Sequence, residues 1–436
     1  MTPPVAAPAP SASHARSSHI RWGICGLLFF ATTINYIDRQ VIGLLKPVLE
    51  KDLGWNEADY GWIVFAFQAA YAAMMPLAGR IIDALGTRLG YLIAVAVWSA
   101  AAAAHALAGS ALQFGIARFA LGFGESANFP AALKTVANWF PVRERALATG
   151  LFNSGANIGA IIAPLAVPWL AVHYGWRSAF ILTGGAGFIW IALWWLFYHE
   201  PSESTRLSAA ERAIIDEGRD MAAPAVQRVS YAELLRDRMA WAYLIGKFLT
   251  DPVWWFYLFW LPGFLNRTYH LDLESLGLPI VVIYQASTVG SVGGGWISST
   301  LLRRGWSLNR ARKTAMLICA ITVLPVMFVY QAGGHLWIAV LLIALGAAGH
   351  QGWSANIYNL PGDVLPSSAV ASVVGLGGMG GAIGGMIVAP AVGYWLDFSH
   401  GAYGPLFFAA GTMYLLALLI IHLLVPRLGH PSNSHA

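Results

Sequence analysis

The sequence predicts an all-α membrane protein of twelve transmembrane helices, arranged as two parallel six-helix repeats. Three observations carry that expectation. Of 436 residues, 57% are hydrophobic and 11% charged, against roughly a quarter charged in an ordinary soluble domain. The apolar residues run in stretches that reach the ~20 residues a helix needs to cross a bilayer. A short pattern in the first half also returns in the second at an offset of 226 residues. The composition excludes a soluble enzyme. The stretches lack the alternation of ~10-residue β-segments, which excludes an outer-membrane barrel.

In chain order the spans fall at residues 22–45, 60–79, 90–108, 111–138, 146–172, 178–199, 240–266, 277–300, 314–332, 336–361, 369–396 and 403–426. An even number of crossings puts both termini on one side. The longest connector carries Arg206, Arg212, Arg219, Arg228, Arg236 and Arg238 among acidic residues and divides the spans six and six. The expected organisation is therefore a tail over 1–19, a six-helix half over 20–199, a linker over 200–239, a second half over 240–426 and a tail over 427–436. Residues 1–19 lack acidic residues and a signal-type cleavage pattern, and read as a disordered cytoplasmic tail.

Lys and Arg give the orientation. The tails, the linker and the loops after spans 2, 4, 8 and 10 hold 18 of them, whereas the opposite loops hold four: Lys46, Lys51, Arg177 and Arg267. Cytoplasmic loops carry the basic excess, so both termini and the linker are expected on the cytoplasmic side of the cytoplasmic (inner) membrane. The net charge of +5 reports this orientation, and its residues form no single basic face, so no nucleic-acid partner is expected. Cys25 and Cys319 lie in apolar stretches without metal-ligand spacing, which implies neither disulfide, metal nor cofactor. Membrane lipids surround the chain, and a monomer is expected.

At offset 226, Gly155, Ala156, Gly159, Ile161, Ala163 and Pro164 fall on Gly381, Ala382, Gly385, Ile387, Ala389 and Pro390. Span 5 is thus the counterpart of span 11. Six spans is an even offset, so the halves are parallel repeats, an arrangement found in transporters. The GxxxG pairs Gly155/Gly159, Gly377/Gly381 and Gly381/Gly385 let helices approach closely. Gly375, Gly377 and Gly380 fit GxGxxG but lie within a span, and read as helix-contact glycines rather than a phosphate loop.

Ionisable residues inside a span are expensive, and each needs a reason. Asp38 and Arg39 sit in span 1; Arg118 and Glu125 in span 4 are two turns apart and share a face. Asn35 is expected on the face of Asp38. Arg grips a carboxylate with a planar fork and stays charged, so Arg39 and Arg118 suit an anionic substrate. Asp38 and Glu125 can take and release a proton, with burial and the neighbouring guanidinium groups opposing one another. The plain alternative is a pair of permanent salt bridges that fasten the helices. Lys247 and Asp251 in span 7 are four apart and can pair across one turn; Pro252 follows and suggests a helix break or gate. Lys134, Arg143, Glu144 and Arg145 read as structural.

The second half lacks this set, since Asp38, Arg118 and Glu125 fall on Phe264, Ala344 and Gln351. It offers His350, Gln351, Asn356 and Asn359 in span 10, Gln285 in span 8, and Trp254, Trp255 and Tyr257 in span 7. Amides and imidazole bond hydroxyls, and an aromatic face packs against the C–H side of a sugar-like body. Lipid contact or core packing is the alternative for the aromatics.

The segment Gly79-Arg80-Ile81-Ile82-Asp83-Ala84-Leu85-Gly86-Thr87-Arg88 resembles the signature loop of the major facilitator superfamily, with Ala84 and Thr87 where basic residues are usual. Asn35-Tyr36-Ile37-Asp38-Arg39, the run from Arg118 to Glu125, and Phe129-Pro130 resemble its anion:cation symporter family. Thr250 to Tyr257 and His350 to Asn356 resemble the hexuronate transporter branch. The resemblance implies proton-coupling roles for Asp38 and Glu125, substrate-carboxylate contacts at Arg39 and Arg118, and pocket roles for Tyr36 and Tyr71. The expectation is a non-enzymatic, proton-coupled symporter that imports a sugar-acid anion, galacturonate or glucuronate, with Trp255, Gln285, His350, Gln351 and Asn356 as further contacts. Transport of galactonate, glucarate or another carboxylate, and a same-fold exporter or antiporter, remain as alternatives.

Overall fold

The computed structural model describes residues 19–216, 231–365 and 367–428. The expected tails lie almost wholly outside them, as does the middle of the linker. The described chain is helical, without a strand: α1 (Ile20–Leu53), α2 (Glu57–Leu85), α3 (Thr87–Ala104), α4 (Ala111–Glu125), α5 (Asn128–Trp139), α6 (Val142–Tyr174), α7 (Trp176–Phe197), α8 (Ala209–Asp216), α9 (Tyr231–Leu234), α10 (Arg238–Tyr269), α11 (Gly277–Arg303), α12 (Leu308–Val323), α13 (Leu336–Ile357), α14 (Leu360–Val364), α15 (Ser367–Phe398) and α16 (Gly404–Leu424). A bilayer offers no hydrogen bonds to backbone groups, so an apolar run must satisfy its own. Ten of these segments are long and apolar enough to cross a membrane.

Two expected spans are not among the ten, each for a local reason. Residues 111–138 are divided by a turn at Ser126 and Ala127 into α4 and α5. Pro130 has no N–H to give the Ser126 carbonyl, which weakens the helix at this turn, although proline alone does not end a helix here, as α10 shows. α10 is long enough, but Lys247, Asp251 and its many Trp and Tyr side chains dilute its hydropathy. It runs without interruption through Pro252 and Pro262, which corrects the expected break at Pro252.

α1 is longer than its predicted span. It ends where Gly54 adopts φ 68°, so Lys46 and Lys51 belong to the helix rather than to a loop. Lys46 is buried, and its ammonium group reaches Glu50 and, at 2.8 Å, Glu57 Oε1.

The internal repeat is visible as packing. Gly155 and Gly159 of α6 lie against the backbone of Phe29 and Thr33 in α1, with no room for a side chain. Their counterparts Gly381 and Gly385 of α15 lie against Asp251 and Trp255 in α10. α6 thus sits on α1 as α15 sits on α10. Gly377 and Gly380 abut Tyr243 and Leu244, consistent with the helix-contact reading of that glycine run.

Helices from before and after the linker meet along α2 and α15 and along α6 and α11. The α2–α15 seam is tightest where α2 begins. Asp397 accepts from the Glu57 and Ala58 amides at 3.0 and 2.8 Å, so a carboxylate from the end of α15 caps the N-terminus of α2, where the helix dipole favours it. Arg267 at the end of α10 pairs with Glu57 at 3.2 Å. Trp62 donates to the Tyr394 hydroxyl at 3.0 Å. Gly61 and Gly393 permit this approach: a Cβ on either would strike the facing backbone.

Candidate functional site

α1 delivers Arg39 to the middle of the molecule, and α4 delivers Glu125 to meet it. Arg39 Nε and Nη2 both donate to Glu125 Oε2, at 2.9 and 2.7 Å. Neither residue is more than 4% exposed. Arg39 Nη2 also reaches Asn35 Oδ1 at 3.4 Å. Asn35 therefore serves the arginine one turn along α1 rather than Asp38, which corrects the expected grouping.

Four rings enclose the guanidinium carbon of Arg39: Tyr36 at 5.1 Å, Phe67 at 5.1 Å, Tyr71 at 5.2 Å and Trp255 at 5.4 Å. Such contacts each contribute about 0.5–2 kcal/mol, the higher value when desolvated. The cage holds the cation in place and leaves the carboxylate as its only charged partner among the described residues. Glu125 Oε1 has no hydrogen-bond partner among the described residues.

The other two ionisable groups stand apart from this pair. Arg118 Nη2 donates to the Arg39 carbonyl at 3.0 Å, while Nε and Nη1 are buried without partners among the described residues. The rings of Phe67 and Phe259 lie 5.6 and 5.9 Å from its guanidinium carbon. Asp38 is 2% exposed, and neither carboxylate oxygen is hydrogen-bonded. The hydroxyl of Thr183 on α7 is close to it, so Asp38 looks into the half that precedes the linker. The expected gathering of two acids and two arginines is thus one tight pair with two buried neighbours.

A small cavity of about 80 Å³ adjoins the arginine cage across Tyr36. It is lined by Tyr36 of α1, Asn153, Ala156, Asn157 and Ala160 of α6, Trp254 of α10, Tyr284 and Ser287 of α11, and Gln351 of α13. Gln351 lies where the sequence reading placed it.

Arg39, Arg118, Tyr71 and Trp255 belong to the arginine cage or its surroundings rather than to this lining, and three further expected contacts do not line it either. His350 is buried behind Trp254: the rings stack at 5.0 Å and 8°, and His350 Nδ1 lies 2.6 Å from the Tyr414 hydroxyl. It supports the wall rather than forming it. Asn356 Nδ2 donates to the carbonyls of Gly294 and Gly352, both at 2.9 Å, tying α13 to α11. Gln285 is exposed, on a stripe with Leu278, Val289, Val292 and Trp296, while its neighbours Tyr284 and Ser287 face the cavity. One residue is about 100° of helix rotation, enough to turn a side chain away.

Phe67, Asn153, Asn157, Tyr284 and Ser287 were not anticipated. Asn153 and Asn157 are four apart on one face of α6, and that spacing was the available signal.

Several other charged residues in or beside the helices are paired with one another. Lys247 pairs with Asp251 at 2.8 Å and donates to the Tyr358 hydroxyl at 2.9 Å. Lys134 pairs with Asp83 of the Gly79–Arg88 segment at 2.8 Å. Arg21 joins Glu144 and Glu211 at 2.9 and 3.0 Å, fastening α8 of the linker under the first helices.

Ten apolar helices long enough to cross a membrane, glycine-lined helix contacts and a polar cavity define a membrane transporter fold, and the chain belongs to the Major Facilitator Superfamily, whose profile matches residues 28–389. It is an integral, multi-pass membrane protein and a transporter rather than an enzyme. It is 32% identical to the hexuronate transporter of Escherichia coli (strain K12), over 92% of this chain and 93% of that one. It is 33% identical to the galacturonate transporter of Dickeya chrysanthemi, over 64% of this chain and 81% of that one. Among solved structures, a D-xylose-proton symporter superposes with a TM-score of 0.73 at 15% identity, over 94% of this chain and 98% of that one. That likeness concerns the fold.

Proposed function

We propose that the protein is a proton-coupled symporter that imports a sugar-acid anion, a hexuronate such as galacturonate or glucuronate. It works across the cytoplasmic (inner) membrane with both termini cytoplasmic. The observation that carries this reading is the buried, ring-enclosed Arg39–Glu125 pair beside a cavity lined by amides and aromatic faces. The similarity to hexuronate and galacturonate transporters supports the substrate class.

In this mechanism Glu125 occupies Arg39 when no substrate is present. A proton on the free Oε1 weakens its hold, and the substrate carboxylate takes over the guanidinium fork. The sugar body then lies against Tyr36 and Trp254, with Gln351 and its neighbours bonding the hydroxyls. Tyr71 and Trp255 keep Arg39 aimed. Arg118 adds a second positive charge, and Asp38 is a second proton-coupling site. His350 and Asn356 act from behind, by holding Trp254 and the α11–α13 contact.

The halves over 20–199 and 240–426 rock about this site, so that it faces each side in turn. One net positive charge entering across 100 mV supplies about 2.3 kcal/mol, close to fifty-fold accumulation.

The test is uptake of labelled galacturonate and glucuronate into proteoliposomes under an inward proton gradient, with Arg39→Ala as control. Gradient-stimulated uptake that vanishes in the variant is expected. An absence of uptake in folded, correctly oriented protein refutes the hexuronate assignment, and stimulation by an outward gradient instead refutes import.

A further inference from the structure

α10 holds a second buried cation against a carboxylate, much as α1 and α4 hold the first. Lys247 is 2% exposed. Its ammonium group pairs with Asp251 at 2.8 Å, donates to the Tyr358 hydroxyl at 2.9 Å and lies 4.1 Å from the centre of the Tyr358 ring. The Asp251 carboxylate occupies the space that a side chain at Gly381 of α15 would fill. The two members of the pair are not equally sealed: the Lys247 side chain is 3% exposed and that of Asp251 18%. An anion arriving through water can therefore reach the place of Asp251.

Lys247, Asp251 and Trp255 are spaced i, i+4 and i+8, and run as a ladder along one side of α10. Trp255 closes the Arg39 cage, so the ladder leads from that cage toward the end of α10 that joins the linker. Eight residues of helix place Lys247 about 12 Å beyond Trp255. Tyr358 bridges the interval. Its phenol is within electrostatic reach of those of Tyr36 and Tyr71, which stand beside Arg39, and it is about half exposed.

A carboxylate that leaves Arg39 toward the linker side gives up its counter-charge in a poorly solvated passage, where an unpaired ion is costly. A second cation along the way shortens that step. Lysine suits the task, because a compact ammonium on a flexible stem grips a carboxylate less firmly than the planar fork of arginine. It receives an anion without retaining it.

We infer that Lys247, with the Tyr358 hydroxyl, is a second binding station for the substrate carboxylate, on the linker side of Arg39, and that Asp251 fills it until an anion displaces it. This rests on the proposed sugar-acid import; in that orientation the station lies on the release path to the cytoplasm.

Equilibrium binding of labelled glucuronate to the purified protein tests it. Arg39→Ala should lose the tight site and retain a weak, saturable one, of roughly millimolar Kd. Adding Lys247→Gln should weaken that remaining site at least about tenfold, through loss of a charged contact. Adding Asp251→Asn instead should strengthen it, because the competitor is gone; the opposite signs separate a binding station from a pair that only fastens α10. No saturable binding in folded Arg39→Ala protein overturns the inference, as does binding that Lys247→Gln or Asp251→Asn leaves unchanged.

Uptake kinetics give a second readout. With Arg39 intact, Lys247→Gln should lower the maximal rate of glucuronate uptake about tenfold without raising KM, since loading at Arg39 is untouched. A raised KM, or an unaltered rate, overturns the inference. Absence of glucuronate uptake by the wild type removes the proposed function, whereas wild-type uptake without Lys247-dependent binding overturns this inference alone.

Discussion

Replacing Glu125 by Gln removes one negative charge from a buried pair and leaves its shape. In the wild type, both hydrogen bonds from Arg39 converge on one carboxylate oxygen, at 2.9 and 2.7 Å, with the pair almost wholly out of water. Removing the charged partner of such a pair costs about 3–5 kcal/mol, because the remaining ion is uncompensated. A substrate carboxylate reaching Arg39 in the variant recovers part of that energy, and no longer has to displace a competitor. Recovery of about 2 kcal/mol tightens binding roughly thirtyfold.

Binding in Glu125→Gln should therefore be stronger than in wild type and should lose the part of its pH dependence that Glu125 supplies, leaving only that of Asp38. Accumulation driven by a proton gradient should be lost, while exchange of labelled for unlabelled substrate persists. The assays are intrinsic tryptophan fluorescence titration at acidic and alkaline pH, for which Trp255 beside Arg39 is a built-in reporter, and paired gradient-driven and counterflow uptake in proteoliposomes. A variant that binds more weakly than wild type, or that still accumulates substrate on a proton gradient, refutes the competition mechanism.

Arg39→Lys keeps the charge but loses the planar fork and the flat face set among four rings; uptake should fall by a factor of about 100, read as initial rate at saturating substrate. Glu57→Gln removes the partner of both Lys46 and Arg267. It should loosen the α2–α15 seam, so that a cysteine placed at Asn157 reacts faster with an impermeant thiol reagent added outside; an unchanged rate contradicts a closing role for this network. The native Cys25 and Cys319 are both buried, which keeps the background low. Gly294→Val should abolish folded protein on size-exclusion chromatography, because even a Cβ there would meet the backbone of Gly352.

The sequence made the architecture legible because a bilayer leaves a chain few options: apolar length specified the spans, and the glycine pattern at offset 226 marked helices that now occupy equivalent positions. Its errors fell where a local backbone rule overrode hydropathy. A turn at Ser126 and Ala127, ahead of Pro130, split one span. Lys46 was assigned to a loop because it is charged, yet two carboxylates let it lie buried within α1.

Arg39 and Glu125 stood out because a charge in a span demands a partner. The direction of a neutral side chain has no such constraint. Gln285 and Asn356 looked as suitable as Gln351, and the difference lies in helix rotation and in carbonyls left open beside Gly294 and Gly352. Asn153 and Asn157 were overlooked because two amides in a glycine-rich run impose no visible penalty.

The position of Arg39 explains how a single ion pair can govern a molecule of this size. Three of the rings around it belong to α1 and α2, but the fourth, Trp255, belongs to α10 on the far side of the linker. Trp255 itself lies against Gly385 of α15, which also touches Gln68 of α2. The cation is therefore enclosed at the point where both halves meet, on the same α2–α15 seam that Asp397 and Arg267 fasten at its end. In the proposed mechanism, exchanging Glu125 for a substrate carboxylate changes the partner of Arg39 without changing its charge. What changes is the bulk between Tyr36 and Trp254, in a cavity of only about 80 Å³. A sugar acid is larger than the few waters such a space holds, so it can enter only if α6, α10, α11 and α13 adjust around it. In the proposed mechanism, occupancy is thereby converted into movement of one half against the other, which is what transport requires.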